Sequence, residues 1–268
     1  MIDVHCHILP GLDDGAQTIE DALAMAAKLE EAGFDTVIAT PHVLEGRKTI
    51  TPAQIREKVH ELNAALAKNG RKLKILPGAE IFIFPALAEW YKQGKILSLA
   101  DTGKYILVEL PMQHIPPYTE QVFFELQLAG VTPLLAHPER NSKLVKNPQK
   151  LVEWIGKGVQ LQVNFRSFQG LYGSGPKQLA EALLSNGMVH YLGSDLHSAR
   201  GWGMDLKEIA AGIRELAAFD LVAATADNPA HILQGEPWSP QSPPAFRTSP
   251  KPRKKGLLNC LQVIAGKI

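Results

Sequence analysis

Along this chain, stretches with apolar residues at helical spacing alternate with short runs that are apolar throughout. From Thr18 to Glu31, the residues Ile19, Ala22, Leu23, Ala26 and Leu29 recur on one face, which predicts an amphipathic helix. Thr18 with Asp21 reads as a capping box at its start, and Gly33 stands where a helix ends. Thr36-Val37-Ile38-Ala39-Thr40 comes next as a strand buried on both faces, with His42 just beyond it.

The same unit recurs to residue 235. Thr51-Pro52 opens a helix that closes near Asn69-Gly70, and the strand Leu73 to Leu76 leads to Glu80. Tyr105 to Val108 leads to Glu109, and Pro133 to Ala136 leads to His137. Val159 to Val163 leads to Asn164, and Met188 to Leu192 leads to Asp195 and His197. With Ile2 to His5 these make seven strands, nearly all followed by helices. Such alternation predicts an α/β protein of right-handed βαβ units, closed or nearly closed into a barrel; an open doubly wound sheet is the alternative.

From Glu236 the character changes. Pro237, Pro240, Pro243, Pro244, Pro250 and Pro252 interrupt regular structure, Lys251, Arg253, Lys254 and Lys255 make a basic run, and Leu257 to Ile264 is apolar. The expected organisation is one domain over residues 1–235 and a flexible tail over 236–268. That tail is either a solvated extension or a docking segment for an acidic partner or a membrane surface.

Composition narrows the field by exclusion. The 268 residues carry a formal net charge of +1, which gives no push toward nucleic acid. The two cysteines, Cys6 and Cys260, stand at opposite ends and make no disulfide framework. Neither a basic leader nor an apolar run of roughly 18 residues is present, so a cytoplasmic location is expected. Cys6 and Cys260 lack the downstream arginine of a cysteine-dependent phosphatase, and no phosphate-binding glycine motif or nucleophile elbow is present. Gly170, Gly173 and Gly175 form a loose cluster that reads as a flexible loop rather than a phosphate cradle.

The expected strand ends hold His5, His7, His42, Glu80, Glu109, His137, Asp195 and His197, five of the nine histidines among them. Imidazoles and carboxylates gathered at one mouth are costly to desolvate unless cations pair with them, and divalent metals do that. His5 and His7, two apart on a strand, share a face while Cys6 points away. Arg140 and Arg200, each three residues past a histidine of the set, are candidates to hold phosphate oxygens bidentately. Phe82, Phe84, Phe165, Phe168, Tyr172 and Trp202 are candidates to line the approach and stack on a substrate ring.

The opening His5-Cys6-His7-Ile8-Leu9-Pro10-Gly11-Leu12-Asp13-Asp14-Gly15 resembles the polymerase and histidinol phosphatase (PHP) superfamily. More narrowly, it is similar to the bacterial manganese-dependent tyrosine-protein phosphatases of capsule and exopolysaccharide operons. Thr40-Pro41-His42, Gly78-Ala79-Glu80, Val108-Glu109, Ala136-His137-Pro138-Glu139-Arg140 and Ser194-Asp195-Leu196-His197 carry the resemblance onward, over roughly residues 1–235. It implies a distorted (β/α)7 TIM-like barrel, the PHP fold, holding three divalent ions. His5, His7, Glu80 and Asp195 would bind the first; Glu80, Glu109 and His137 the second; Asp14, His42 and His197 the third. Manganese is the implied metal, with iron, cobalt or zinc also compatible with these ligands.

The implied activity is hydrolysis of phosphotyrosine by hydroxide formed on the metals, with Arg140 and Arg200 on the phosphate and Asp195 or His197 assisting the leaving phenolate. The implied substrate is an autophosphorylated bacterial tyrosine kinase. A PHP phosphatase of a small monoester such as histidinol phosphate is the competing enzyme reading. A metal-dependent amidohydrolase is weaker, because the middle strands end in Glu80 and Glu109 rather than in a lysine. A metal-free interaction module is opposed by the complete ligand set.

Overall fold

The computed structural model describes residues 1–46, 50–200 and 221–240. Strands β1 (Ile2–Cys6), β2 (Thr36–Ala39) and β4 (Lys74–Pro77) form a three-stranded parallel sheet in the order β1-β2-β4. Strands β3 (His42–Val43), β5 (Glu80–Phe82), β6 (Tyr105–Glu109), β7 (Thr132–Ala136), β8 (Gln160–Asn164) and β9 (Tyr191–Gly193) form a six-stranded parallel sheet in that order.

Two of the seven expected strands are therefore each broken in two. Between β2 and β3 stands Pro41, which has no N–H to give to a ladder, although its carbonyl accepts from Glu80 N at 3.1 Å. Between β4 and β5 stands Gly78, packed so closely that a Cβ there would lie 2.8 Å from Ile38 Cγ2. Past each break the chain joins the other sheet, and this change of sheet delivers His42 and Glu80. The two sheets also meet through β1: Asp195 N donates to His5 O at 2.8 Å and His7 N to Leu196 O at 2.9 Å. Cys6 and Leu196 form a parallel bridge there.

The helices begin where the sequence indicates. Helix α1 (Ile19–Glu31) has the reciprocal Thr18–Asp21 capping box, and α2 (Pro52–Lys68) has a second one between Thr51 and Gln54 with proline in its first turn. One loop shifts: Gly175, expected in a flexible glycine cluster, lies in the first turn of the helix Ser174–Ser185.

Alternate strand residues divide between two apolar clusters. Ile106, Val108, Leu135, Leu161, Val163 and Leu192 pack with the helices. Val4, Ile38, Tyr105, Leu107, Leu134 and Tyr191 join residues of both sheets in a smaller inner cluster. The inner apolar residues sit toward the strands' N-terminal ends, and polar groups replace them toward the C-terminal ends.

The stretch from Glu236, expected to be free of the fold, closes the N-terminal end. Tyr105 Oη donates to Glu236 O at 2.8 Å, Trp238 N donates to Tyr105 Oη at 3.0 Å, and Gln160 Nε2 donates to Trp238 O at 2.6 Å. The Trp238 ring packs against His190, Tyr191 and His231. The basic run and the apolar stretch after it lie outside the described residues. Among the described residues, no helix is long and apolar enough to cross a membrane.

Candidate metal centre

At the strands' C-terminal ends four donor atoms crowd together: His5 Nε2, His7 Nε2, Glu80 Oε2 and Asp195 Oδ1. His5 Nε2 lies 3.1 Å from His7 Nε2, 3.3 Å from Glu80 Oε2 and 3.4 Å from Asp195 Oδ1. His7 Nε2 lies 3.4 Å and 3.5 Å from the same two oxygens. His5, His7 and Glu80 are wholly buried and Asp195 nearly so.

The ring nitrogens on the far side decide the tautomers. His7 Nδ1 lies 2.7 Å from Asp13 Oδ2, a carboxylate that also accepts from His42 N and Gly15 N, so Nδ1 donates and Nε2 offers a lone pair. His5 Nδ1 faces Gln162 Oε1 at 2.8 Å with the same result. With both imidazoles neutral, two lone pairs and two carboxylates face one space, and where no cation is held there the carboxylates draw a proton onto the imidazoles instead. Glu80 Oε2 is wholly buried, and the imidazoles of His5, His7 and His42 face it within 3.4 Å. Donor atoms bound about 2.1 Å from one ion stand roughly 3.0–3.4 Å apart, which is the spacing seen. The residues fit a divalent cation.

The cluster extends outward from Glu80. Its Oε1 lies 3.0 Å from His137 Nε2 and its Oε2 lies 2.9 Å from His42 Nδ1. Glu109 stands 3.7 Å from His42 Nδ1 and 3.9 Å from His137 Nε2. Asp14 Oδ1, at the solvent edge, is 3.6 Å from His42 Nε2 and 3.5 Å from His197 Nε2. All nine residues singled out as ligands thus meet in one place. Three overlapping sets have donor atoms close enough to share an ion: His5, His7 and Glu80; His42, Glu80 and Glu109; and His7, Asp14, His42 and His197. His42 accordingly contacts both Glu80 and Asp14, where the resemblance gave it to one ion alone.

Electrostatics reflect this crowding. Burial opposes charge on His5, yet Glu80 and Asp195 push it up to about 9. Burial likewise opposes charge on His7, and Asp13, Asp195 and Glu80 override it. Against their own burial, Glu80 and Asp195 are held well below the usual carboxylate range by the imidazoles. Glu109 is raised by burial and by the charge of Glu80. Two ligand-bearing residues, His137 at φ 27° and Asp195 at φ 50°, sit in left-handed backbone that non-glycine residues seldom adopt.

The two arginines separate. Arg140 Nη1 donates to Asp195 Oδ2 at 2.6 Å, and its guanidinium lies 4.4 Å from the centre of the Tyr172 ring. Arg200 is exposed; its charge bears on Asp21, and no ion pair joins it to the cluster among the described residues.

The aromatic candidates separate as well. Phe82 lines a cleft of 590 Å³ beside the cluster, together with Leu12, Leu44 and Ile50. Phe84, Phe165 and Phe168 do not line the approach: they are buried, Phe84 edge-on to Trp90 and Phe165 edge-on to Phe34. Tyr172 offers a face to Arg140, and Trp202 lies outside the described residues.

Several residues that act here are invisible to a search for ligands. Asp13 orients His7. Glu139, wholly buried, accepts from Asn164 N and Ser167 Oγ at 2.9 and 2.6 Å. Gln162 and Asn164 stand on the inner face of β8. The alternation Gln160, Gln162, Asn164 in an otherwise apolar run was the available signal for that face.

A parallel α/β scaffold presenting imidazoles and carboxylates to shared cations defines a metal-dependent class of site. The model of the capsular polysaccharide synthesis family CpsB/CapC matches residues 1–234, and the chain belongs to that family. It is 36% identical over 255 residues to tyrosine-protein phosphatase YwqE of Bacillus subtilis (strain 168), covering 95% of this chain and 97% of that one. It is 31% identical to putative tyrosine-protein phosphatase CapC of Staphylococcus aureus, over 91% of this chain and 95% of the other. A crystal structure from the pair YwqE of Bacillus subtilis and CpsB of Streptococcus pneumoniae, described as unique metal-dependent tyrosine phosphatases, superposes with a TM-score of 0.85. At 35% identity the match covers 92% of this chain and 100% of that one.

Proposed function

We propose that this protein is a metal-dependent tyrosine-protein phosphatase, a phosphoric monoester hydrolase acting on phosphotyrosine in a protein. One observation carries the reading: the Nε2 atoms of His5 and His7 both lie within 3.5 Å of Glu80 and Asp195 oxygens, in a chain of the CpsB/CapC family. Three divalent ions are proposed, manganese foremost with iron, cobalt or zinc as alternatives. His5, His7, Glu80 and Asp195 would hold one; Glu80, Glu109 and His137 a second; Asp14, His42 and His197 a third. When bound, such ions supply Lewis acidity toward phosphate oxygens and water.

The chain's own groups do the rest. Arg140, fixed by Asp195 and Tyr172, keeps guanidinium N–H groups free for a phosphate at the mouth. Leu12, Leu44, Ile50 and Phe82 give the adjoining cleft an apolar wall suited to a phenyl ring. A tyrosyl oxygen, with a pKa of about 10, leaves without a strong acid, so His197, proposed as a ligand of the third ion, need not give it a proton. Arg200 would reach the phosphate only by moving from its exposed position. Further parts of the proposal are a distorted (β/α)7 barrel, supported by the Cys6–Leu196 bridge, and a catalytic domain over residues 1–235 with a tail. A cytoplasmic setting and an autophosphorylated tyrosine kinase of capsule or exopolysaccharide synthesis as substrate complete it.

The test is turnover of a phosphotyrosine peptide against histidinol phosphate, with chelation, manganese add-back and a thiol-alkylating control. Preference for the peptide, loss on chelation and indifference to alkylation are expected, since the Cys6 thiol is buried. Preference for histidinol phosphate, or activity that survives chelation, would overturn the reading.

A further inference from the structure

We infer that Gln162 and Asn164 form a one-way amide relay that sets the tautomer of His5 and the orientation of Asp195, and through them the affinity of the centre for its metal. The relay deepens the metal-dependent reading above and rests on it.

The chain of contacts is complete. Gln162 Oε1 lies 2.8 Å from His5 Nδ1; Gln162 Nε2 donates to Asn164 Oδ1 at 2.8 Å; Asn164 Nδ2 donates to Asp195 Oδ2 at 2.7 Å. Gln162 and Asn164 are wholly buried, so water offers no substitute partner. The direction is fixed at both ends by groups that have only one role. His137 N, a backbone donor, points at Gln162 Oε1 at 3.3 Å, so that atom is the amide oxygen. At the other end an ionised carboxylate only accepts, so Asn164 turns its amino group to Asp195 and its oxygen to Gln162.

Each amide therefore has a single satisfied orientation, and each end of the relay settles one ligand. A neutral, metal-ligating His5 must donate from Nδ1, leaving Nε2 bare toward Glu80 and Asp195. Asp195 has Oδ2 taken by Asn164 and Arg140, leaving Oδ1 toward His5 and His7. The space is built for this arrangement: a Cβ at position 193 would lie 2.7 Å from Gln162 Nε2 and 2.8 Å from His5 Cβ, so glycine is required there. Partners that orient metal ligands typically govern about 10–100-fold in metal affinity.

The experiment is manganese affinity by chelator competition on the full chain, for the wild type, Gln162→Met, Asn164→Leu and the double variant, with thermal melts of the chelated proteins to confirm folding. Each single change is expected to weaken binding about 10–100-fold. The double change is expected to weaken it by about as much as one single change, because breaking either link breaks the same relay. Folded single variants with wild-type affinity, or losses that multiply in the double variant, would overturn the relay and leave two independent packing residues. Should a hydrocarbon variant not fold, the isosteric Asn164→Asp carries the same test, since it sets an acceptor against Asp195 Oδ2. A wild type that binds none of manganese, iron, cobalt and zinc would overturn the metal-dependent reading itself, a distinguishable result.

Discussion

Arg140 and Asp195 are bound to each other at 2.6 Å, across 55 residues of sequence, with Tyr172 stacked on the guanidinium. The arginine is thus tied to a carboxylate that also faces His5 and His7, beside the position proposed for the phosphate. Arg140→Ala is expected to lower kcat on a phosphotyrosine peptide by about 10²–10³, and Arg140→Lys to recover little, since one ammonium does not reproduce a planar fork. Arg200→Ala, at an exposed position, should cost several-fold less. Equal losses in the two alanine variants would contradict this division.

The aromatic residues divide between recognition and packing. Phe82→Ala is expected to raise KM for a phosphotyrosine peptide while leaving KM for small non-aromatic esters nearly unchanged. Phe84→Ala, which empties a site against Trp90, should instead cost about 3–5 kcal/mol of stability and leave KM alone in whatever fraction folds. Steady-state kinetics beside denaturant melts separate the two outcomes.

Gly15 is required by close approach. A Cβ there would lie 2.0 Å from His7 O and 2.6 Å from His7 Cβ, so Gly15→Ala must displace His7. At least a roughly tenfold loss of manganese affinity is expected, on the scale of other changes that misplace a ligand. Gly156→Ala, with nothing within 4 Å of its Cβ, is the control and should bind manganese as the wild type does.

His190, far from the metal ligands, makes the fold acid-sensitive. Its Nδ1 accepts from Leu161 N at 2.8 Å, and burial holds its pKa down to about 4. The unfolded chain takes up this proton near pH 6.5 and the folded chain only near pH 4. The associated stability is whole above about pH 6.5 and is lost as pH falls toward about 4, with a loss of about 2 kcal/mol by pH 5. His190→Asn keeps an acceptor and removes the titration. Denaturant midpoints of the chelated protein at pH 7 and pH 5 should fall more for the wild type than for the variant; equal falls would refute the assignment.

Much of this was legible because buried parallel strands write themselves as apolar runs, and ligands at strand ends interrupt them. His5, His7, His42, Glu80, Glu109, His137, Asp195 and His197 could be picked out that way. The capping box at Thr18 and the N-cap threonine before Pro52 marked helix starts because they are local chemistry. What stayed hidden depends on distant partners. The change of sheet at Pro41 and Gly78 arises from pairing across the molecule. Phe84 and Phe165 look like Phe82 in sequence, and only packing separates them. Gln162 was masked by its apolar neighbours Leu161 and Val163 on β8.

Trp238 fixes where the segment Glu236 to Trp238 lies. It is fastened beneath Tyr105, Gln160 and Tyr191, at the pole opposite His5 and Glu80. A partner that took hold of Glu236 to Trp238 would approach the pole away from the cluster, so such docking and access to the cluster need not compete for the same side of the molecule.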